Sequence, residues 1–494
     1  MKVLMVYPKY PDTFWGFKKA LKFISKKAAF PPLGLLTVAS MLPEDWEKKL
    51  VDMNIDKLKQ KDLDWADIVF VSGMIIQKES AKEIIRQAKE SGKTVVAGGP
   101  AFNAESDSYP DVDHLVLDEA EITLPLFLKD LAAGKPQRVY TSKERPDIRK
   151  TPIPMWSLIN MKKYAAMAVQ YSRGCPFNCE FCDIILLNGR KPRTKSPDQM
   201  VGELQALYDA GWRGGLFIVD DNFIGNKKMV KEMLPYIIEW QKKNNYPFTL
   251  FTEASVDLGA DFELMSLMSK ANFNKVFLGI ETPNPESLEE CGKNQNTRFD
   301  VTECVKNIQQ YGMQVMGGFI VGFDSDTENI FESQVKFIQN MGIVTAMVGL
   351  LEAAPQTRLW NRLKAEGRLL VEGTGNNTDG SLNFIPKMGS KPLIEGYKWL
   401  VQNIYSPRYY YDRIDTFVHN FNPTAKAKFS MSDIKALFKS IWRIGIFSKS
   451  SILYWKIIIK TAFVKFRALP NVIELAILGV HYQYITKKII KTKV

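Results

Sequence analysis

The chain has 494 residues, 46% of them hydrophobic and 24% charged, with a formal net charge of +12. This is the composition of a folded protein of two or three domains and excludes a disordered or fibrous one. Five Cys, three of them clustered, do not make a disulfide framework and fit metal binding in a reducing compartment. The opening Met1–Pro8 segment is too short for a signal peptide, and no run of about 18 apolar residues predicts a spanning helix. A cytoplasmic protein is expected.

The first segment alternates short apolar runs with helical patterns. Strands are predicted over 2–7, 49–53, 68–72, 94–97 and 114–117, with helices over 33–41 and 81–91. Strands separated by helices imply α/β architecture with a parallel, doubly wound sheet, which binds ligands at the carboxyl ends of its strands. Three turns there suit close approach of a bulky group: Gly98-Gly99-Pro100, Ser72-Gly73-Met74 and Pro31-Pro32-Leu33-Gly34. An ordinary turn is the alternative for each; together they mark a cofactor cleft. Tyr7, Trp15, Phe17 and Phe23 line that space or pack the core.

A Pro-containing linker follows, and a second βα series begins. Its strands are predicted over 164–171, 215–219, 248–253, 275–279, 315–321 and 344–351, with helices such as 197–210 and 227–242. Six βα units suggest an open, partial form of the (β/α)8 barrel, active at the strand carboxyl ends. From about Leu363 the pattern changes to a polar loop (373–380) and then a mainly helical domain, with helices over 394–404 and 435–446. The expected division is 1–140, a linker 141–160, 161–365 and 366–494.

Cys175, Cys179 and Cys182 form a C-x3-C-x2-C triplet in the loop after the first strand of the second series. Three thiolates can hold three irons of a [4Fe–4S] cluster, leaving the fourth open to a small molecule. Electron-transfer clusters usually take four Cys, so the triplet points to chemistry at the cluster. Cys291 and Cys304 read as buried apolar positions.

Acidic groups end several strands. Asp220 and Asp221 close the second strand of this series, where a carboxylate can accept a charge-assisted hydrogen bond from an ammonium; a helix N-cap at Asp221-Asn222 is the alternative. Glu253 and Glu281 are acidic groups at strand ends, where a structural salt bridge is one reading. Gly318 and Gly322 suit strand–helix packing.

Beyond Ser440 the tail carries ten Lys and Arg, from Arg443 to Lys493, opposed only by Glu474 and interleaved with Ile, Trp, Tyr and Phe. Such a tail can lie on an anionic membrane surface, or be the solvated face of a helical domain. Nucleic-acid binding is not expected.

The triplet, with Phe181 before its third Cys, resembles that of radical S-adenosylmethionine (SAM) enzymes. So do Val219-Asp220-Asp221-Asn222-Phe223, Leu278-Gly279-Ile280-Glu281-Thr282 and Gly318-Phe319-Ile320-Val321-Gly322-Phe323. The likeness is to members with an N-terminal, Rossmann-like cobalamin-binding domain. Within them it runs to C-methylases of large apolar substrates, the hopanoid C-2 methylase and the bacteriochlorophyllide side-chain methylases, which share Tyr7-Pro8 with Pro11-Asp12-Thr13-Phe14-Trp15 and the run from Ala28 to Leu36.

The resemblance implies three cofactors: a [4Fe–4S] cluster on Cys175, Cys179 and Cys182; SAM, near Asp220, Asp221, Glu253, Glu281 and Gly318, with Glu253 and Glu281 suiting ribose or ammonium contacts and Gly318 and Gly322 close approach to adenine; and cobalamin, near Gly98 and Gly99. His114, His419 and His481 are the only histidines and none lies in a D-x-H-x-x-G context, which implies cobalamin without a His lower ligand. Asp118 stands where relatives often have Gly.

The implied activity is methyl transfer from SAM through methylcobalamin to an unactivated carbon of a hydrophobic hopanoid or chlorophyll-type tetrapyrrole. An external electron donor of flavodoxin or ferredoxin type would feed the cluster. The rival readings are a radical cyclase or C–C coupling enzyme acting on a lipid, and a cluster- and cobalamin-binding sensor.

Overall fold

The computed structural model describes residues 1–370, 373–376, 378–426 and 431–491. Asn377 of the predicted polar loop and Lys493 of the basic tail lie outside them.

Strands β1 (Lys2–Tyr7), β2 (Glu47–Asp52), β3 (Ile68–Ser72), β4 (Thr94–Gly98), β5 (His114–Val116) and β6 (Val139–Tyr140) form one sheet in the order β2-β1-β3-β4-β5-β6. All its neighbours are parallel. Apolar residues fill both faces, as a sheet covered on two sides requires: Leu4, Val6, Val69 and Val95 point into one core, Val3, Met5, Phe70 and Val96 into the other. The predicted strands are present to within two residues. The sheet gains a sixth strand, β6, at the end of the predicted 1–140 unit, just ahead of the linker. Two residues long, β6 has no periodicity to detect.

After β7 (Ala166–Val169) come a short antiparallel pair, β8 (Ser172–Arg173) and β9 (Arg193–Thr194), and then β10 (Gly214–Ile218), β11 (Phe248–Ala254), β12 (Phe273–Glu281), β13 (Gln314–Val321) and β14 (Thr345–Leu350). The second sheet runs β7-β10-β11-β12-β13-β14, all parallel and in sequence order. β7 and β14 are its two edges and do not pair with each other, so the barrel is partial and open. Alternation sorts the side chains. Leu216, Ile218, Leu250, Val276 and Leu278 are buried on the helix-covered face, while Phe217, Phe251, Phe277 and Gly318 occupy the opposite, half-buried face.

The C-terminal region is helical: Ser390–Ile404, Pro407–Asn420, Met431–Ser440 continued by a π-helical turn Ile441–Ile446, Ser451–Val464 and Leu469–Lys491. It is tied to the barrel by polar anchors in an apolar core. Tyr397 donates to the Val348 carbonyl (3.1 Å), and Tyr405 to the Ala346 carbonyl. Arg413 is 0% exposed and donates to Gln339 Oε1 (2.6 Å) and to the Ile404 (2.8 Å) and Val344 (3.2 Å) carbonyls. No helix among the described residues is long and apolar enough to cross a membrane.

Arg413→Ala strips three acceptors of their donor and opens a cavity. It is expected to cost about 2–4 kcal/mol, seen as a lowered melting temperature; a melting temperature equal to wild type would show that the helical region is held by its apolar contacts alone.

Candidate functional site

The site is built at the carboxyl ends of the second sheet. The β8–β9 ladder closes a loop, 174–192, that carries all three cysteines of the triplet. Gly174 starts it with φ +97°; a Cβ there would come to 2.9 Å from the Gly189 carbonyl oxygen and 3.0 Å from that of Lys191, so only glycine fits. The Cys175 N–H donates to the Gly189 carbonyl (3.2 Å).

On its far side the loop is pinned to later elements. The Glu180 N–H donates to the Cys291 carbonyl (2.8 Å) and the Leu359 N–H to the Glu180 carbonyl (3.0 Å). Arg362 grips the Glu180 carboxylate through Nε (2.8 Å) and Nη2 (3.1 Å), a bidentate geometry that fixes direction as well as distance.

Cys179 is buried, and Cys175 and Cys182 are partly so. Burial raises the Cys175 thiol and pushes Cys182 up to about 12, which favours the protonated thiols; binding a metal centre displaces those protons. Among the described residues no three His, Cys, Asp or Glu converge on a point that would hold a single ion. A cubane makes no such demand, because each thiolate binds a different iron. Three thiols on one short, pinned loop therefore fit a cluster better than a mononuclear site.

The acidic residues predicted for the site take different roles. Asp220 is fully buried and committed to the chain itself: its Oδ1 accepts from the Tyr171 N–H (2.7 Å), and its Oδ2 from the Ser172 N–H (2.8 Å) and hydroxyl (2.7 Å). Burial raises it to about 7 while these donors pull it down. Asp221 accepts from the Gly174 N–H (2.8 Å) and Asn188 Nδ2 (2.9 Å), both at Oδ2. It is not a helix N-cap; the next helix, Lys227–Lys243, is capped by Asn226. Glu281 forms a buried ion pair with Lys293. Burial lowers Lys293, but the Glu281 carboxylate outweighs it and holds the ammonium above its ordinary range.

Glu253 differs from these. Among the described residues its carboxylate has no hydrogen-bond or ion-pair partner, and burial, with Asp221 and Asp220 adding repulsion, raises it to about 7. A cation arriving at this corner would relieve that repulsion.

The glycines serve the chain's own packing. A Cβ on Gly98 would sit 2.4 Å from the Val116 carbonyl oxygen, one on Gly99 (φ +95°) 2.5 Å from Ser72 Oγ, and one on Gly318 2.8 Å from the Phe277 ring. Asp118 has φ +60°, a left-handed conformation that favours glycine, and is held there by Thr141 Oγ1 (2.6 Å).

Sequence reasoning missed the link between the two sheets. Arg173, the residue before Gly174, is bound by Glu119 (2.8 Å) and Glu121 (2.8 Å), and Arg193 by Glu119 (2.7 Å). Burial raises Glu121, but Arg173 outweighs it and holds the carboxyl below its usual range. The detectable signal was an acidic pair two residues apart at the start of helix Ala120–Ala132. Of the histidines, His114 opens β5 at its amino end, His419 ends a helix, and His481 is engaged by the Thr13 (2.9 Å) and Phe14 (3.1 Å) carbonyls. Cys291 and Cys304 are buried.

A model of the radical SAM superfamily matches residues 169–338, and a domain of unknown function matches residues 357–493. An uncharacterized methyltransferase of Synechocystis is 45% identical, covering 92% of this chain and 86% of the relative. The hopanoid C-2 methylase of Rhodopseudomonas palustris is 36% identical over 92% of this chain and 88% of its own. The chain therefore belongs to the family of these methyltransferases, enzymes that carry a radical SAM domain.

The fold is shared with the radical SAM methyltransferase TsrM of Kitasatospora setae, solved with cobalamin and a [4Fe–4S] cluster bound (TM-score 0.61, 16% identity, 74% of this chain and 78% of that one). It is shared also with the cobalamin-dependent SAM radical enzyme OxsB (TM-score 0.63, 15% identity, 99% and 80%).

Cys175→Ala, Cys179→Ala and Cys182→Ala are each expected to lose most of the iron and sulfide of anaerobically reconstituted protein, while Cys291→Ala and Cys304→Ala keep it. Iron analysis checks this; full iron in Cys179→Ala would remove the assignment.

The raised Glu253 pKa also has a stability consequence. A carboxyl raised in the folded state stabilises fully below its ordinary range, and that contribution is lost as pH rises through about 7. The melting temperature of the apo-protein should fall between about pH 5 and about pH 8, and Glu253→Gln should flatten part of that fall, roughly 1–2 kcal/mol. An identical pH profile in the variant would show that Glu253 is solvated.

Proposed function

We propose that the protein transfers a methyl group from SAM, by way of cobalamin, to an unactivated carbon of a large hydrophobic small molecule, either a hopanoid or a chlorophyll-type tetrapyrrole. On this reading 1–140 is the cobalamin-binding unit, 161–365 the radical SAM unit reached through the linker 141–160, and 366–494 the helical unit.

The observation that carries the substrate class is the inward face of the barrel, which is aromatic and incompletely covered. Phe217 and Phe251 stack with ring centroids 4.9 Å apart. Phe30, from the N-terminal unit, leans on Phe217 at 5.1 Å, and Trp15 meets Phe277 at 4.9 Å. Such a surface favours an apolar, fused-ring ligand over a charged one. Relatives support the same range: the hopanoid C-2 methylase above, and the bacteriochlorophyllide d C-8(2)- and C-12(1)-methyltransferases of Chlorobaculum tepidum, each 24% identical.

In this assignment Cys175, Cys179 and Cys182 hold the cluster. Asp221 and Glu253 face the SAM ammonium, Glu253 being the carboxylate that lacks a partner within the chain. Asp220 holds the loop's entry strand, and the Glu281–Lys293 pair fixes the end of β12 beside the cysteines. Gly318 keeps the barrel floor low under Phe277, and the Gly98-Gly99 corner shapes the carboxyl edge of the first sheet, where cobalamin would lie without a His ligand. When bound, these groups supply a one-electron reductant, a hydrogen-abstracting adenosyl group and a methyl donor; the chain supplies placement and exclusion of water. A flavodoxin- or ferredoxin-type donor in the cytoplasm would deliver the electron.

The test is anaerobic incubation of reconstituted protein with reductant, SAM and cobalamin, with a hopene or a chlorophyllide offered separately. The expected result is 5′-deoxyadenosine together with a product heavier by one CH2 from one of the two. Loss of hydrogens without carbon gain would instead mark a cyclase, and absence of 5′-deoxyadenosine a non-catalytic sensor.

A further inference from the structure

The helical region leaves a large apolar face uncovered. On helix Met431–Ser440 and the π-helical turn after it, Met431, Ile434, Phe438 and Trp442 are exposed at spacings of three, four and four residues, one stripe of a helix. On helix Ser451–Val464, Ile452, Trp455, Ile459 and Phe463 repeat that spacing, with Ile452 82% and Phe463 88% exposed. The stripes belong to joined elements: Trp455 Nε1 donates to the Gly445 carbonyl (3.0 Å). Phe447, stacked edge-on against Trp442 at 4.9 Å, and Phe466 extend the apolar surface at the ends of these elements. Single exposed apolar residues need no explanation, but two adjacent stripes do.

Charge identifies the occupant. Residues 431–467 carry eight Lys and Arg against one acidic residue, Asp433. Lys449, Lys456 and Arg467 are exposed beside the stripes. Some cations of this region serve the fold instead: Lys439 donates to Ser25 Oγ (2.7 Å) and Lys465 to the Val418 carbonyl (2.8 Å). A second copy of the chain related by a two-fold axis would bring the exposed cations against their own kind. An anionic surface with an apolar interior meets both properties, with aromatic rings at the boundary and cations over the headgroups.

The geometry points to this face as the site where the protein docks on a bilayer of anionic lipid, the two helices lying in the interface plane with Phe438, Ile452 and Phe463 in the acyl boundary. Docking there would place the helical region, and the barrel it is anchored to, beside a reservoir of apolar molecules. The inference rests on the surface alone and does not depend on the proposed substrate.

The test is flotation of full-length protein with vesicles of phosphatidylcholine alone or mixed with phosphatidylglycerol. Wild type should float with the anionic vesicles and much less with the neutral ones. The triple variant Ile452→Ser, Phe463→Ser, Phe466→Ser should bind the anionic vesicles at least about tenfold more weakly, with melting temperature and cluster content kept, because these side chains are already in water. Lys449→Glu with Lys456→Glu should narrow the difference between the two vesicle types. Failure of wild type to float with anionic vesicles, or unchanged binding by the triple variant, overturns the proposal. So does a wild-type dimer that the triple variant converts to monomer, since the face would then be covered by a second copy.

Discussion

The buried ion cluster of Arg173, Arg193, Glu119 and Glu121 is the contact on which the arrangement of the site depends. Glu119 and Glu121 start the helix that follows β5 of the first sheet, while Arg173 and Arg193 face each other on the ladder that closes the cysteine loop. Glu119 accepts from Arg173, Arg193 and, at 3.4 Å, Arg145. Charges this far from water interact strongly only when matched, and removing one partner leaves the others stranded. The cluster therefore sets the carboxyl ends of the first sheet against the loop that carries Cys175.

Around that contact, the loop is fixed from three directions by groups that are not themselves ligands. Asp220 and Asp221 hold its entry, Arg362 holds Glu180 between Cys179 and Phe181, and Gly174 lets the chain turn in. This leaves the cysteines preplaced, with the Glu253 carboxylate beside Asp220 and Asp221 and without a partner among the described residues. Most polar groups of the corner are thus committed to holding its geometry.

Much of this was legible in the sequence because it is local. The triplet is a spacing, the parallel strands are apolar runs separated by helical periods, and the change near Leu363 is a change of pattern. What was not legible depends on tertiary pairing. β8 and β9 are two residues each and exist because Asp220 and the Arg–Glu cluster hold them. Nothing near Glu281 in sequence marks Lys293 as its partner, since the turn between them decides it. Gly98 and Gly99 stand out in sequence as a glycine pair after a strand, whereas the Val116 carbonyl and Ser72 that lie close to them come from other segments of the chain. The basic tail was visible as composition; only the fold separates cations that cap carbonyls, such as Lys465, from those left beside the apolar stripes.

The central claim is that Cys175, Cys179 and Cys182 hold a cluster with one iron open to SAM, next to Asp221 and Glu253. The most direct measurement is the electron paramagnetic resonance spectrum of the reduced, anaerobically reconstituted protein before and after SAM is added. The account predicts a cluster signal whose g-values shift on addition of SAM, because the ligand enters the iron's coordination sphere. A signal identical with and without SAM would contradict it.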